Sequence, residues 1–213
     1  MDYFEYGERE TDYLKSKDPR LAEVIEKIGH IDRPVDEDLF SSVVHQILGQ
    51  QISNKALDTI WGRMQEKYGS VDAEHIAAAS VEELQSFGTT FRKAEYIKDF
   101  AEKVECGELD IQSIAEMSDE EAIKALTSLK GIGTWTAEMI LLFSLQRPNI
   151  FSYDDLAIQR GIRMVYHHRA VDRKKFEKYR RRFSPYCSVA SLYFWAVAGG
   201  AIPEMRDYAP KRK

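Results

Sequence analysis

Cysteine is almost missing from this sequence: Cys106 and Cys187 are the only two among 213 residues. A disulfide framework is therefore not expected, least of all in a reducing compartment. No cluster of His, Cys and Asp has the spacing of a zinc site. The longest nearly apolar run, 189–202, is too short and too glycine-broken to span a bilayer. The opening Met1-Asp2-Tyr3-Phe4-Glu5 lacks the basic start and apolar stretch of a signal peptide. These absences predict a soluble intracellular protein with no membrane partner. Strand-like alternation is missing as well, and so is any internal repeat, which argues against sandwiches, barrels and solenoids. Positive charge is in short supply: 30 Lys and Arg face 35 Asp and Glu, a net charge of −5.

What is present is helix after helix, with 44% hydrophobic content and enough length for one compact unit or two small lobes. Asp18-Pro19 supplies a helix start ahead of Leu21, Val24, Ile25 and Ile28 at helical spacing, and Gly29 closes the segment. Phe40, Val43, Val44, Ile47 and Leu48 continue the pattern. Further helices are predicted over 54–68, 81–86, 93–104, 111–117, 119–126, 134–145, 155–165, 173–183 and 189–197. The fold class is all-α. The marked break is Arg147-Pro148-Asn149.

The densest signal is Leu129-Lys130-Gly131-Ile132-Gly133-Thr134-Trp135-Thr136-Ala137, followed by the acidic pair Asp154-Asp155. Two glycines around one apolar residue suit a hairpin between helices. They let a phosphate approach the main chain, while the helix opening at Thr134 offers unpaired amides to an anion. A helix that merely ends on a glycine before the next begins is the competing reading. The carboxylates are ambiguous too. A fixed negative charge lowers the barrier to a reaction that builds a cation. Yet Ser152-x-x-Asp155 also resembles a capping box, and Asp154 could be the N-cap.

The string Leu-x-Gly-Ile-Gly-x-Trp-Thr-Ala, then Phe151-Ser-Tyr-Asp-Asp-Leu-Ala-Ile-Gln-Arg-Gly, resembles the helix-hairpin-helix DNA glycosylases. Within them it is similar to the alkylation-repair branch of 3-methyladenine DNA glycosylase II. Ile47-Leu48-Gly49-Gln50-Gln51-Ile52-Ser53, Arg92-Lys93-Ala94-Glu95-Tyr96-Ile97 and Ser191-Leu192-Tyr193-Phe194-Trp195 match further segments of that branch in order, so the resemblance covers most of the chain.

The resemblance implies a central lobe over 40–145 ending in the helix-hairpin-helix at 126–141, a second lobe from 1–39 with 146–213, and an active site in the cleft between the lobes. It implies base excision from double-stranded DNA by a monomer that flips the damaged base out of the duplex. Asp155 is the implied catalyst, with Asp154 as helix cap or supporting charge. Gly131, Gly133, Thr134 and Lys130 would grip DNA together with Ser53, and Gln51 aligns with the residue that fills the vacated stack. Trp195 aligns with the base pocket, whose charged alkylpurine substrate suits an electron-rich wall; Trp135, Phe40, Trp61, Tyr193 and Met139 are weaker candidates. For Phe40, Trp61 and Tyr193, core burial is the competing reading, and His45 reads as a core or cleft-edge residue.

Relatives that also cut the DNA backbone carry a lysine where this chain has Trp135, so a monofunctional enzyme that uses water is implied. Family members bind potassium or sodium through hairpin carbonyls, here those of Thr127, Leu129 and Ile132. No cofactor is required for catalysis, and two cysteines cannot hold the iron–sulfur cluster of other branches. The expected location is the nucleoid-associated cytoplasm in a bacterium or the nucleus in a eukaryote. The alternatives are a non-catalytic hairpin module, a bifunctional glycosylase-lyase, and a glycosylase for another lesion. Net acidity sits awkwardly with DNA, but ten Lys and Arg from Arg160 to Arg182 face only Asp172 and Glu177. That basic stretch reads equally as a solvated helix face.

Overall fold

The computed structural model describes residues 2–210. Among them the chain forms two compact units, one from residues up to Val35 together with those from Gln146 onward, the other from Asp36–Leu145. Residues 36–39, assigned above to the terminal lobe, belong to the central unit. Asp38 is the N-cap of the unit's first helix, its side chain accepting from the Ser41 amide, and the Asp36 amide donates to Phe143 O in the same unit.

The discontinuous unit holds a short antiparallel pair, β1 (Asp2–Tyr3) with β2 (Pro34–Val35), in the register Asp2 with Val35 and Tyr3 with Pro34. This pair was not expected, because two residues per strand are too few to show alternation. Its helices are α1 (Glu8–Lys17), α2 (Pro19–Ile28), α10 (Leu156–Tyr166), α11 (Arg173–Phe183) and α12 (Cys187–Ala198). Asp18 caps α2 by accepting from the Arg20 and Leu21 amides, both at 3.0 Å, and pairs with Arg182. The core is aromatic: Phe151 stacks on Phe176 at 4.5 Å, and Phe183 and Phe194 are fully buried.

α10 packs on α12 at a close crossing. A Cβ at Gly161 would lie 2.3 Å from the Phe194 carbonyl oxygen, so glycine is what lets the two backbones meet.

The continuous unit contains α3 (Leu39–Gly49), α4 (Asn54–Tyr68), α5 (Ala73–Ala78), α6 (Val81–Ser86), α7 (Phe91–Glu105), a 3-10 segment (Gln112–Glu116), α8 (Asp119–Thr127) and α9 (Thr134–Phe143). α3 buries seven of its eleven residues against α4, α7 and α9, and α9 buries six of ten. Helices so apolar belong in an interior rather than at a surface. The hairpin thus hangs between α8 and a rigidly buried α9.

Charge divides unequally between the units. The continuous unit, which carries the hairpin, has 20 Asp and Glu against 9 Lys and Arg, and the remaining sequence has 15 against 21.

Candidate nucleic-acid interface and catalytic carboxylate

The hairpin runs from the C-cap Ser128 of α8 to Gly133, the N-cap of α9. The two glycines play different parts. Gly131 has φ +84°, and a Cβ there would fall 2.4 Å from the Tyr96 ring, so both backbone and space demand glycine. Gly133 is extended, with φ −92°, and a Cβ would meet nothing within 4 Å. Gly131 makes the turn, and Gly133 leaves the start of α9 uncovered. No side chain caps α9, whose first residues Thr134 and Trp135 are exposed. Those first-turn amides have no intrahelical acceptor, the arrangement that attracts a phosphate.

Lys130, expected to help grip DNA, is exposed and ion-paired. Its Nζ lies 2.6 Å from Asp99 Oδ1, while Lys103 reaches the other oxygen of Asp99 at 3.0 Å. The Lys130 hydrogen bond, with Lys103 beside it, holds the Asp99 carboxyl below the usual carboxylate range, and Asp99 in turn raises Lys130. An exposed pair of this kind is weak, so a phosphate can compete for it. Asp99→Asn is expected to tighten binding to undamaged duplex and to steepen its salt dependence, by a slope of about 0.9 for one added phosphate contact. A titration of affinity against salt reads both; an unchanged slope would mean that Lys130 does not reach the backbone.

The loop after α3 lies in the same unit. Gln51 is exposed and has φ +58°, a left-handed conformation uncommon for a side-chain residue. Ser53 is the N-cap of α4, its hydroxyl accepting from the Ala56 amide at 3.3 Å. The structure thus gives Ser53 a capping role that the sequence reading did not assign. Gln50, overlooked in the sequence beside Gln51, donates from Nε2 to Gly131 O at 2.7 Å. Lys93 Nζ donates to Leu48 O at 2.8 Å and Gln50 O at 2.6 Å. Phe91 at the start of α7 is 54% exposed, and Arg92, bonded to the Tyr96 hydroxyl at 2.6 Å, lines a pocket together with Gln50 and Gln51.

The aromatic candidates separate cleanly. Phe40 stacks on Phe100 at 4.8 Å and is 7% exposed, and Met139 is 3% exposed. Both are core residues of the continuous unit rather than pocket walls. Trp61 meets His45 edge-on at 4.9 Å, and burial lowers the His45 pKa. Tyr193 is buried and donates to Gly29 O at 3.0 Å. Trp135 is 40% exposed.

Asp155 sits in the discontinuous unit and is 6% exposed. It is itself the N-cap of α10: Oδ1 accepts from the Ala157 amide at 2.9 Å and the Ile158 amide at 2.8 Å. The expected division of labour is therefore corrected. Asp154 is exposed and does not cap the helix, and the cap is the residue assigned to catalysis. Ser152 makes no capping box, because its buried hydroxyl finds no partner. A third donor completes the cradle: Trp195 Nε1 reaches Asp155 Oδ1 at 3.1 Å. Two amides at a helix N-terminus and an indole N–H thus converge on one oxygen, Oδ1, and fix the orientation of the carboxylate. The indole bond joins residues forty apart, so no local pattern announced it.

Among the described residues no group of His, Cys, Asp and Glu could hold a metal ion. The hairpin carbonyls are a separate matter. Leu129 O already accepts from the Ile132 amide at 3.2 Å, and a carbonyl has a second lone pair for a cation. That donor chemistry fits an alkali ion.

Comparison with known proteins places these features in a family. Residues 44–185 match the model described as HhH-GPD superfamily base excision DNA repair protein. DNA-3-methyladenine glycosylase 1 of Schizosaccharomyces pombe is 30% identical over 164 residues, 75% of this chain and 72% of that protein. The crystal structure of a Bacillus halodurans DNA-3-methyladenine glycosidase superposes with a TM-score of 0.85 at 36% identity, covering 98% of this chain and 97% of that one. A Schizosaccharomyces pombe 3-methyladenine DNA glycosylase in complex with abasic DNA superposes at 0.77 with 25% identity, covering 90% and 97%. Coverage of longer relatives is lower, and the chain spans 64% of one Bacillus subtilis protein that it matches at 28% identity.

Proposed function

The chain belongs to the HhH-GPD superfamily of base excision DNA repair proteins, and from that premise we propose that it is a monofunctional DNA glycosylase that releases alkylated purines. The observation that carries this reading is the Asp155 cradle, in which two α10 amides and the Trp195 indole converge on one carboxylate oxygen. A module that only binds DNA has no use for a buried carboxylate so held. A helix cap alone would not need the indole.

The chemistry follows from the charge. As the bond between C1′ and the purine nitrogen lengthens, its electron pair leaves with the base, and positive charge builds on the sugar. Asp155 stabilises that cation and accepts a proton from the water whose oxygen bonds to C1′. A 3-methyladenine or 7-methylguanine base starts out cationic and departs neutral, so little acid assistance is needed. Trp195 is a positioning residue for the carboxylate and offers its ring to the flipped base. Trp135 stands where a Schiff-base lysine would be required, and an indole is no such nucleophile.

DNA enters as the partner through the α9 N-terminus and the hairpin, with Gln51 as the residue that fills the vacated stack. The carbonyls of Thr127, Leu129 and Ile132 would hold an alkali ion, whose positive charge would favour a phosphate at the turn and leave the reaction to Asp155. The acidity of the hairpin-bearing unit supports a grip built from main-chain amides rather than a broad basic surface. The similarity to glycosylases named for 3-methyladenine supports the choice of lesion.

The test is incubation with methylated duplex DNA. Released 3-methyladenine and 7-methylguanine are expected, with strands that break only after alkali, and borohydride should trap no adduct. Strand breakage without alkali, together with a trapped covalent complex, would overturn the monofunctional reading.

A further inference from the structure

Three elements of the continuous unit meet around Gly131: the 49–53 loop, the first turns of α7, and the hairpin. They are not packed solid. A pocket of about 500 Å³ opens among Gln50, Gln51, Thr90, Lys93, Tyr96 and Gly131. The ties that cross the pocket from the loop are polar. Lys93 Nζ bonds the carbonyls of Leu48 and Gln50, and Gln50 Nε2 bonds the Gly131 carbonyl. The Tyr96 ring closes the far side, so near to Gly131 that a methyl group would collide with it.

The Lys93 bonds go to the end of α3, where the last carbonyls lack intrahelical donors and a cation is favoured. Partial burial lowers the Lys93 pKa. Immediately beyond them the chain enters the left-handed turn at Gln51. A residue in that conformation stays there only when its surroundings over-determine it. Here Lys93 fixes the carbonyl before Gln51, and the amide of the same Gln50 fixes the hairpin.

We infer that Lys93 and Gln50 are positioning residues that lock the Gln51 loop to the hairpin, so that gripping the phosphate and filling the emptied stack are one mechanical act. The inference rests on the glycosylase reading above. Its consequence is specific: weakening the lock penalises extraction of a paired base and spares a base that has no partner to lose. A role in fold stability alone would lower both equally.

The experiment compares 7-methylguanine release, under single-turnover conditions, from a duplex with cytosine opposite and from one with a tetrahydrofuran abasic analogue opposite, where flipping costs less. Lys93→Met should lose about tenfold or more on the paired substrate, the size expected for a lost charge-assisted hydrogen bond. The loss on the abasic-opposed substrate should be less than about threefold by the same logic. Lys93→Arg, which keeps charge and donors, should restore most of the paired activity. Gln50→Leu, which removes only the amide tie to Gly131, should reproduce the ratio if Lys93→Met does not fold. Equal losses on both duplexes, or none, would overturn the inference while leaving the parent reading intact. Wild-type protein that releases base from neither duplex would overturn both.

Discussion

Asp155→Asn is expected to cut base release from methylated duplex at least about 100- to 1,000-fold, the cost of removing one preorganised electrostatic group. Duplex affinity and melting temperature should barely change. The substitution separates two roles that the structure superimposes on one side chain. Asn is as good an N-cap as Asp, and its amide oxygen can accept from the Ala157 and Ile158 amides and the Trp195 indole as Oδ1 does now. Volume and capping are retained, while the charge and the second acceptor oxygen go. Were capping the whole function, the variant would be nearly wild type in turnover, and that result would remove the catalytic assignment. Asp155→Ala is the less informative change, since it also sacrifices the cap, about 1 kcal/mol. Asp154→Asn supplies the control: an exposed neighbour that caps nothing should lose little activity.

Asp155 also marks what a sequence can and cannot disclose. α4, α6 and α11 start and end at the residues predicted for them, and in the structure Ser53, Ser80 and Asp172 each accept an amide from the first turn. α1 escaped because Leu14 is its one buried residue, so Glu8–Lys17 has no apolar stripe to read. The predicted helix over 111–117 is a five-residue 3-10 segment, where the alanine and isoleucine spacing fits either geometry.

The site was legible in its residue types and illegible in its bonds. Asp155, Trp195, Gly131 and Lys130 all stand out in the sequence, yet the partners that define their work lie far along the chain. Trp195 turns out to hold the carboxylate, and Asp99 turns out to hold Lys130. Lys93 and Gln50 lie inside family-like segments without any local feature marking them as bonded to one another. Long-range hydrogen bonds leave no periodicity, so only the folded chain displays them.

The same limit applies to glycine, and a matched pair of substitutions exposes it. Gly161→Ala and Gly62→Ala both place alanine inside a helix, and helix propensity alone predicts about 0.8–1 kcal/mol of stabilisation for each. Gly62 sits in α4 with nothing within 4 Å of the added methyl, so it should realise that gain, and its melting temperature should rise by about 2–4 °C. Gly161 faces the backbone of Phe194, with its carbonyl oxygen 2.3 Å from the new carbon. A side chain could rotate away from such a contact, whereas a helix backbone can yield only by moving α12 as a body. Overpacking of this kind costs about 1–3 kcal/mol, which cancels or exceeds the propensity gain and grows for a larger residue such as valine. The displaced helix is the one that carries Trp195, so the 3.1 Å indole bond to Asp155 should lengthen, and base release should fall even in protein that remains folded. Thermal denaturation of both variants beside a single-turnover assay reads the contrast: Gly62→Ala more stable and fully active, Gly161→Ala less stable and slower. A Gly161→Ala protein as stable and as active as Gly62→Ala would show that α10 and α12 do not depend on that close crossing to hold the carboxylate.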